Sequence, residues 1–447
     1  MTLLEKYAGN VPRYTSYPTA PQFRESVGNA EYGKWLRALG ADDTISLYIH
    51  IPYCDRLCWF CACHTKQTQK YEPVRAYLAS LHREIETVAA HVSPAAKVTA
   101  IHFGGGSPTM VAPEDMINLM NKVREVFRVA DDAEISVEMD PNDLDAARYD
   151  ALAAIGMTRA SLGVQDFAPL VQKAINRIQT FDQTAAVVEE VRRRGVHSAN
   201  CDIVYGLPHQ TIQMLEATVA DIISLDPDRI ALFGYAHVPW MKKHQTMIRD
   251  EWLPGADDRF ALMTKAGAML VAAGYQPIGI DHFAKPDDTM AIASREGRLR
   301  RNFQGYTDDD ATAVIGLGAS SIGRFPQGYV QNNPATGAYR SQVEAGDLAV
   351  VRGVALTEED RMRAWVIERL MCDFALDFHD LSARWPTRAG QIIAEAQDLV
   401  AGDPDGHVAI ADGILAIAPV AQPFARTIAA RFDAYLGNGH GRHSVAV

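Results

Sequence analysis

Short apolar runs and amphipathic stretches alternate through the first half of the chain. The runs at 44–52, 97–105, 134–141, 159–166, 198–207 and 229–238 are each brief, apolar-rich and closed by Gly, Pro, Asp or an adjacent turn, the pattern of buried strands. Helical periodicity fills the intervals. Pro73 stands where a first helical residue would be, and Val74, Tyr77, Leu78, Leu81, Ile85 and Val88 then make one apolar stripe. Comparable stripes predict helices over 113–127, 183–194 and 211–225. Six strand–helix repeats imply a parallel sheet. Eight would close a TIM barrel. Six predict an α/β fold, a partial (β/α)6 TIM-like barrel with a lateral opening.

The pattern also predicts domains. Residues 1–43 form a leader that packs near the active site, and 44–345 hold the partial barrel and its extension. Residues 346–436 form a mainly helical C-terminal domain with a hairpin, and 437–447 a disordered tail. In the C-terminal domain, Thr357-Glu358-Glu359-Asp360 reads as a helix start. Asp412-Gly413 between 408–411 and 414–417 reads as a two-residue hairpin turn. A last helix is expected over 423–436. Helices plus a terminal hairpin suggest a winged-helix-like module. With no concentrated basic face, a lid or substrate-holding role is the expectation rather than DNA binding.

Composition narrows the class without naming it. The 447 residues are 48% hydrophobic and 22% charged, with a net charge of −12. That balance fits a globular protein and argues against wholesale nucleic-acid or anionic-membrane binding. No stretch reaches the apolar length of a membrane span, and the first residues, with Glu5 and Lys6, lack a signal-peptide core. A reducing cytoplasm is the expected location, because four of the six cysteines fall within ten positions and form no disulfide framework.

Those cysteines carry the chemistry. Cys54, Cys58 and Cys61 are spaced C-x3-C-x2-C, with Phe60 before the last. Three thiolates can ligate three corners of a four-iron cluster and leave the fourth iron open to a small molecule. Cys63 and His64 follow, so a zinc site is the alternative, although structural zinc usually joins two separated ligand pairs. The loop follows the first strand, so it sits at the barrel mouth. Glu138, Gln165 and Asp202 lie near the ends of later strands and converge on that mouth. Gly104-Gly105-Gly106-Ser107-Pro108-Thr109 follows the second strand and allows close backbone approach to a ligand, but lacks the Gly-Lys-Ser/Thr of a phosphate loop. Gly316-Leu317-Gly318-Ala319-Ser320-Ser321-Ile322-Gly323 comes too late, and without the right flanks, for a dinucleotide site, and is expected to back a second small-molecule pocket. Arg295, Arg298, Arg300 and Arg301 form either a solvated face or a binding surface for carboxylates.

The C-x3-C-x2-C run with its glycine-rich turn resembles the signature of radical S-adenosylmethionine (SAM) enzymes. Four further features sharpen the likeness: Pro12-Arg13-Tyr14-Thr15-Ser16-Tyr17-Pro18-Thr19, Cys63, Asp281-His282-Phe283 and Asn302-Phe303-Gln304-Gly305-Tyr306. Together they resemble the oxygen-independent coproporphyrinogen III dehydrogenase family of haem and porphyrin biosynthesis, over nearly the whole chain. The resemblance implies a [4Fe–4S] cluster on Cys54, Cys58 and Cys61, with Cys63 not a ligand. It implies two SAM molecules, contacted by Tyr48, Phe60, Gly105, Gly106, Ser107, Glu138, Gln165, Arg177, Asp202, Ala236 and Ile322, with Gln304 near the second. Tyr48 joins the three cysteines as a catalytic candidate. Ala62 and Ser107 stand where the family pattern has Gly and Thr.

The implied reaction is an oxidoreduction. Reductive SAM cleavage gives a 5′-deoxyadenosyl radical that takes a hydrogen from the β-carbon of a propionate. Loss of CO2 and one electron leaves a vinyl group, and two such rounds turn coproporphyrinogen III into protoporphyrinogen IX. The implied partners are that substrate, a flavodoxin- or ferredoxin-like electron donor and an electron acceptor of unknown kind, with no nucleic acid and a monomeric state. Arg13 and the 295–301 arginines are candidates for the substrate carboxylates. A haem-trafficking relative, a radical SAM methyltransferase or cyclopropanase, and a zinc-stabilised interaction protein are the rival readings. The leader and Cys63 disfavour the first, and the leader the second.

Overall fold

A computed structural model describes residues 3–7, 9–142 and 144–436. The expected disordered tail at 437–447 lies outside them. The chain divides into two compact units, one of 23–254 with 311–355, the other of 1–22, 255–310 and 356–447. These lines fall elsewhere than the leader boundary at 43 and the C-terminal boundary at 345.

The first unit holds the predicted strands: β1 (Thr44–Ile51), β2 (Lys97–Gly105), β3 (Arg128–Met139), β4 (Arg159–Gln165), β5 (Ser198–Tyr205) and β6 (Arg229–Gly234). Each pairs in parallel with the next. The sequence missed a seventh parallel strand, β7 (Ala313–Leu317), which pairs with the free side of β1. It continues antiparallel through β8 (Ile322–Phe325), β9 (Gly328–Asn332) and β10 (Val350–Ala355). β10 and β6 do not pair, so the sheet stays open. The partial (β/α) barrel is therefore present, with an antiparallel extension on the β1 side.

Helices α1 (Glu72–Ala89), α2 (Pro113–Val126), α3 (Ala146–Ala154), α4 (Phe181–Arg193) and α5 (Ile212–Ser224) lie between these strands. The stripe from Val74 to Val88 is buried as its spacing requires. Thr180 and Thr211 cap α4 and α5 by accepting from Gln183 and Met214 amides. β1 has Ile45, Leu47, Ile49 and Ile51 fully or almost fully buried. Each such side chain contributes about 1.5–3 kcal/mol relative to exposure.

The second unit is built on helices Ala256–Ala272, Glu358–Cys372 and Ala389–Ala401. Thr357 and Asp360 form the expected capping box. Val408–Ala411 and Ile414–Ile417 pair as the predicted hairpin, with Asp412 and Gly413 both at positive φ, and Ala375–Asp377 adds a third strand. The last expected helix is broken into 3-10 turns at Pro419–Phe424 and Ala430–Phe432 around Ala425–Ala429, with Pro423 inside the first. Tyr7, Val11, Tyr14 and Tyr17 of the leader are buried in this unit's core with Leu370, Phe424 and Phe432. The Tyr14 hydroxyl donates to Asp433 at 3.0 Å. Among the described residues, no helix is long and apolar enough to cross a membrane.

Candidate functional site

The cysteine loop springs from the carboxyl end of β1, and its two ends are tied where Tyr53–Cys54 pairs in parallel with Lys66–Gln67. Backbone groups within the loop are held from both sides. Asn176 Nδ2 donates to Leu57 O at 2.9 Å and Trp59 N to Ile175 O at 2.9 Å. From the segment after β6, Gln245 donates to Phe60 O at 2.8 Å, His244 to Cys61 O at 2.6 Å and Lys242 to Cys63 O at 2.9 Å. Cys54, Cys58 and Cys61 are partly exposed, Cys63 is exposed, and Cys201 and Cys372 are buried elsewhere.

Arg177 joins the loop to the strand ends. Its Nη1 lies 3.7 Å from Cys58 Sγ and 3.0 Å from Asp140 Oδ2, and its Nη2 donates to Gly163 O at 2.6 Å. Burial pushes the Cys54 thiol up, with the neighbouring thiols adding to it. Burial also raises Cys58, against the pull of Arg177. A hydrogen bond from Cys63 brings Cys61 down to about 7, against burial. Thiols that resist ionising together are held as thiolates once a cationic metal centre replaces their protons.

The strand ends supply the rest. Glu138 accepts from Gly105 N at 2.9 Å and pairs with His102 Nε2 at 3.2 Å. Burial would raise its carboxyl, but the His102 bond and charge, with the Gly105 amide, hold it below the usual range. A Cβ on Gly104 would lie 2.8 Å from Glu138 Oε1 and 2.9 Å from the Tyr48 ring, and one on Gly106 would meet Tyr53 backbone at 2.5 Å. The turn is thus glycine because its own neighbours leave no room for a Cβ.

Tyr48 meets His50 Nδ1 at 3.0 Å, and His50 Nε2 meets His64 O at 3.0 Å. A carbonyl only accepts, so Nε2 carries the proton and Nδ1 accepts from the Tyr48 hydroxyl. Burial lowers His50 to about 4, which keeps it neutral. The Tyr48 oxygen is left with lone pairs for a ligand.

Gln165 is held at φ 70°, and its amide converges with Arg177 over Gly163, where a Cβ would lie 2.8 Å from Gln165 Nε2. Asp202 accepts from Asn200 Nδ2 at 2.7 Å. Ser107 Oγ meets Thr109 Oγ1 at 3.0 Å. Ile322 opens β8 against Gly316, which stands opposite Tyr48 in the β1–β7 register. Gln304 belongs to the second unit, in the turn between Arg300–Asn302 and Gly305–Thr307, where its amide donates to Asn302 Oδ1 at 2.8 Å. The sequence reading missed His50, His102, Asp140 and the pair His244 and Gln245. Asp140, two residues beyond Glu138 at a strand end, carried the one usable signal.

A family model described as "Radical SAM superfamily" matches residues 48–222. An oxygen-independent coproporphyrinogen III oxidase of Paracoccus denitrificans is 47% identical over 99% of this chain and 97% of its own length. One from Bradyrhizobium diazoefficiens is 47% identical over 98% and 97%. The chain belongs to the oxygen-independent coproporphyrinogen III oxidase family of radical SAM enzymes. A solved coproporphyrinogen III oxidase from Escherichia coli, described as a radical SAM enzyme, superposes with a TM-score of 0.90 at 37% identity, covering 96% of this chain and all of that one.

Membership in this oxidase family implies a [4Fe–4S] cluster and SAM, and the three partly exposed free thiols of one loop are donors of the kind such a cluster takes. A single zinc with Zn–S bonds of about 2.3 Å would draw its ligand atoms within about 4.6 Å of one another. Among the described residues, no three of these thiols and His64 gather within 4.8 Å. The group that does, Asp403, Asp405 and His407, has the Lys6 ammonium 2.8 Å from Asp405.

Two further segments picked out in the sequence are held by the protein's own groups. The turn at 316–323 is engaged from inside. Its Gly318 amide donates to Glu84 at 2.6 Å and its Ala319 amide to the Tyr77 hydroxyl at 2.9 Å. The arginine cluster also disperses within the second unit. Arg295 meets Gln276 at 2.6 Å, Arg298 meets Glu296 at 2.9 Å, and Arg300 meets Glu368 at 3.0 Å. Arg301 turns inward over the Tyr306 ring and lies 3.9 Å from Asp281. Burial would raise Asp281, but Arg301 and His282 hold it down to about 2.

Proposed function

We propose that this oxidase removes two propionate carboxylates from coproporphyrinogen III as CO2 and leaves vinyl groups, giving protoporphyrinogen IX. Cys54, Cys58 and Cys61 hold the [4Fe–4S] cluster. Tyr48, Phe60, Gly105, Gly106, Ser107, Glu138, Gln165, Arg177, Asp202, Ala236 and Ile322 contact SAM, with Gln304 at a second SAM. The bound cluster and SAM supply the one-electron reduction that starts hydrogen removal at the propionate β-carbon.

The chain's own groups then have defined tasks. Glu138, kept ionised, accepts from a cationic amino group beside the Gly105 amide. Tyr48 presents an acceptor oxygen, because its proton is committed to His50. Arg177 places a permanent charge beside Cys58 while Asp140 keeps it in place. Arg13 is the remaining arginine candidate for the substrate carboxylates, since Arg295, Arg298 and Arg300 are engaged elsewhere. The enzyme acts in the cytoplasm, as a monomer, with a small flavodoxin- or ferredoxin-like reductant.

What supports the reading most is one convergence: Cys58, Arg177 and Gly163 meet within hydrogen-bonding reach at the ends of parallel strands, in a chain aligned end to end with named oxidases. The test is an anaerobic incubation of reconstituted protein with SAM, a low-potential reductant and coproporphyrinogen III, read by mass spectrometry. Loss of two CO2 with formation of 5′-deoxyadenosine supports it. 5′-Deoxyadenosine without porphyrinogen decarboxylation contradicts the substrate assignment. Equilibrium dialysis of SAM against the holoprotein tests the second SAM, which predicts two equivalents per chain.

A further inference from the structure

Gln245 lies in no recognisable motif, yet it is wholly buried beside the cysteine loop. Its side chain is fully used. Nε2 donates to Phe60 O at 2.8 Å and to Ala236 O at 3.2 Å, and Oε1 accepts from Val238 N at 2.6 Å. The orientation is forced, because a flipped amide would set its oxygen against two carbonyls and its NH2 against an N–H. One side chain therefore joins the cysteine loop, at the residue before Cys61, to the backbone just beyond β6.

Phe60 and Ala236 are far apart in sequence, and both are placed at SAM in the reading above, on which this inference rests. We propose that Gln245 is a positioning residue for SAM: it presets the spacing of the Phe60 and Ala236 backbones before the cofactor arrives. A preset frame avoids ordering two loops at the moment of binding, a cost that otherwise weakens affinity. The His244 and Lys242 side chains make similar bonds to Cys61 O and Cys63 O, and among the described residues neither side chain is bonded to Ala236 O. They are the internal control: same segment and same loop, without the link to Ala236.

The test uses reconstituted holoprotein and SAM binding, with no porphyrinogen present. Gln245→Glu keeps an acceptor for Val238 N and loses both donors. It should weaken SAM binding about 10-fold with iron and sulfide near the parent values, and lower the melting temperature because two buried carbonyls lose their donor. Lys242→Met, which removes only the bond to the carbonyl of the non-ligand Cys63, should bind SAM as the parent does. Parent-like SAM affinity in Gln245→Glu overturns the proposal, as does an equal loss in both variants. A parent protein that binds no SAM would instead sink the cofactor assignment. Hydrogen exchange on the unsubstituted holoprotein decides independently if Gln245→Glu loses its iron. The Val238 amide should exchange slowly before SAM is added and change little after. Protection that appears only on SAM addition would show that the frame is not preset.

Discussion

Two glycine-rich turns in the first unit are built alike and behave differently. Each follows a parallel strand, and each donates a glycine amide to a glutamate, Gly105 to Glu138 at 2.9 Å and Gly318 to Glu84 at 2.6 Å. Glu138 has histidines around it, keeps 39% of its side chain exposed, and is held below its ordinary pKa. Glu84 is fully enclosed. Asn332 Nδ2 and the Tyr339 hydroxyl donate to it, each at 2.6 Å, and among the described residues its pKa is set by burial and neutral donors. Burial carries its carboxyl up to about 7, against those donors. A carboxylate on a glycine turn thus becomes a partly exposed charge or an internal brace according to what else surrounds it.

Replacing each glutamate should separate the two roles. Glu84→Leu leaves the Gly318 amide, Asn332 and Tyr339 without their acceptor. At about 1–3 kcal/mol for each stranded group, stability should fall by about 3 kcal/mol or more, read by denaturant melts. A loss below about 1 kcal/mol would mean that Glu84 is no brace.

Titration should sharpen the contrast. Glu84 binds its proton more tightly folded than unfolded, so its contribution to stability falls as pH rises from about 4.5 to about 7 and is level above. The parent should lose about 3 kcal/mol relative to Glu84→Gln across that window. Glu138 has the opposite sign. Its contribution is present above the usual carboxylate range and is lost on acidification, so Glu138→Gln should flatten only the acid limb. Parallel melting profiles for parent and Glu84→Gln between pH 4.5 and 7 would refute the brace.

The glycines offer a smaller test. Gly318 sits at φ 96°, and a Cβ there would lie 2.5 Å from the Tyr77 hydroxyl and 2.6 Å from His50 O. Gly318→Ala should cost about 1–3 kcal/mol in a denaturant melt. Gly104→Ala presses on Glu138 and Tyr48 and should instead show mainly in SAM affinity. Finally, Glu138→Gln should reduce turnover roughly 10- to 100-fold, the loss of a hydrogen bond to a charged group, with a smaller loss in melting at neutral pH than Glu84→Leu shows. An equal loss in Glu84→Gln at unchanged stability would erase the distinction.

This contrast also shows what the sequence could and could not reveal. The run of Cys54, Cys58 and Cys61 stood out because close spacing within one loop is a local pattern. The α1 stripe and six strands were legible because both depend on local periodicity. β7 was missed because Gly316 and Gly318 read as punctuation, although Gly316 pairs within the sheet opposite Tyr48. Glu84 looked like a polar position on an amphipathic helix, since its partners Gly318, Asn332 and Tyr339 lie more than two hundred residues away. The Arg177–Asp140 pair and the Gln245 bonds likewise join distant segments, and no local pattern encodes them. The leader's tyrosines drew attention by composition, but their burial with Leu370 and Phe424 is a tertiary fact.

The most direct measurement follows one hydrogen. Coproporphyrinogen III deuterated at the propionate β-carbons is incubated anaerobically with the reconstituted oxidase, SAM and reductant, and the 5′-deoxyadenosine is weighed. Deuterium appearing in 5′-deoxyadenosine alongside vinyl product is the predicted result. Unlabelled 5′-deoxyadenosine formed alongside vinyl product would contradict hydrogen removal from that carbon and, with it, the proposed reaction.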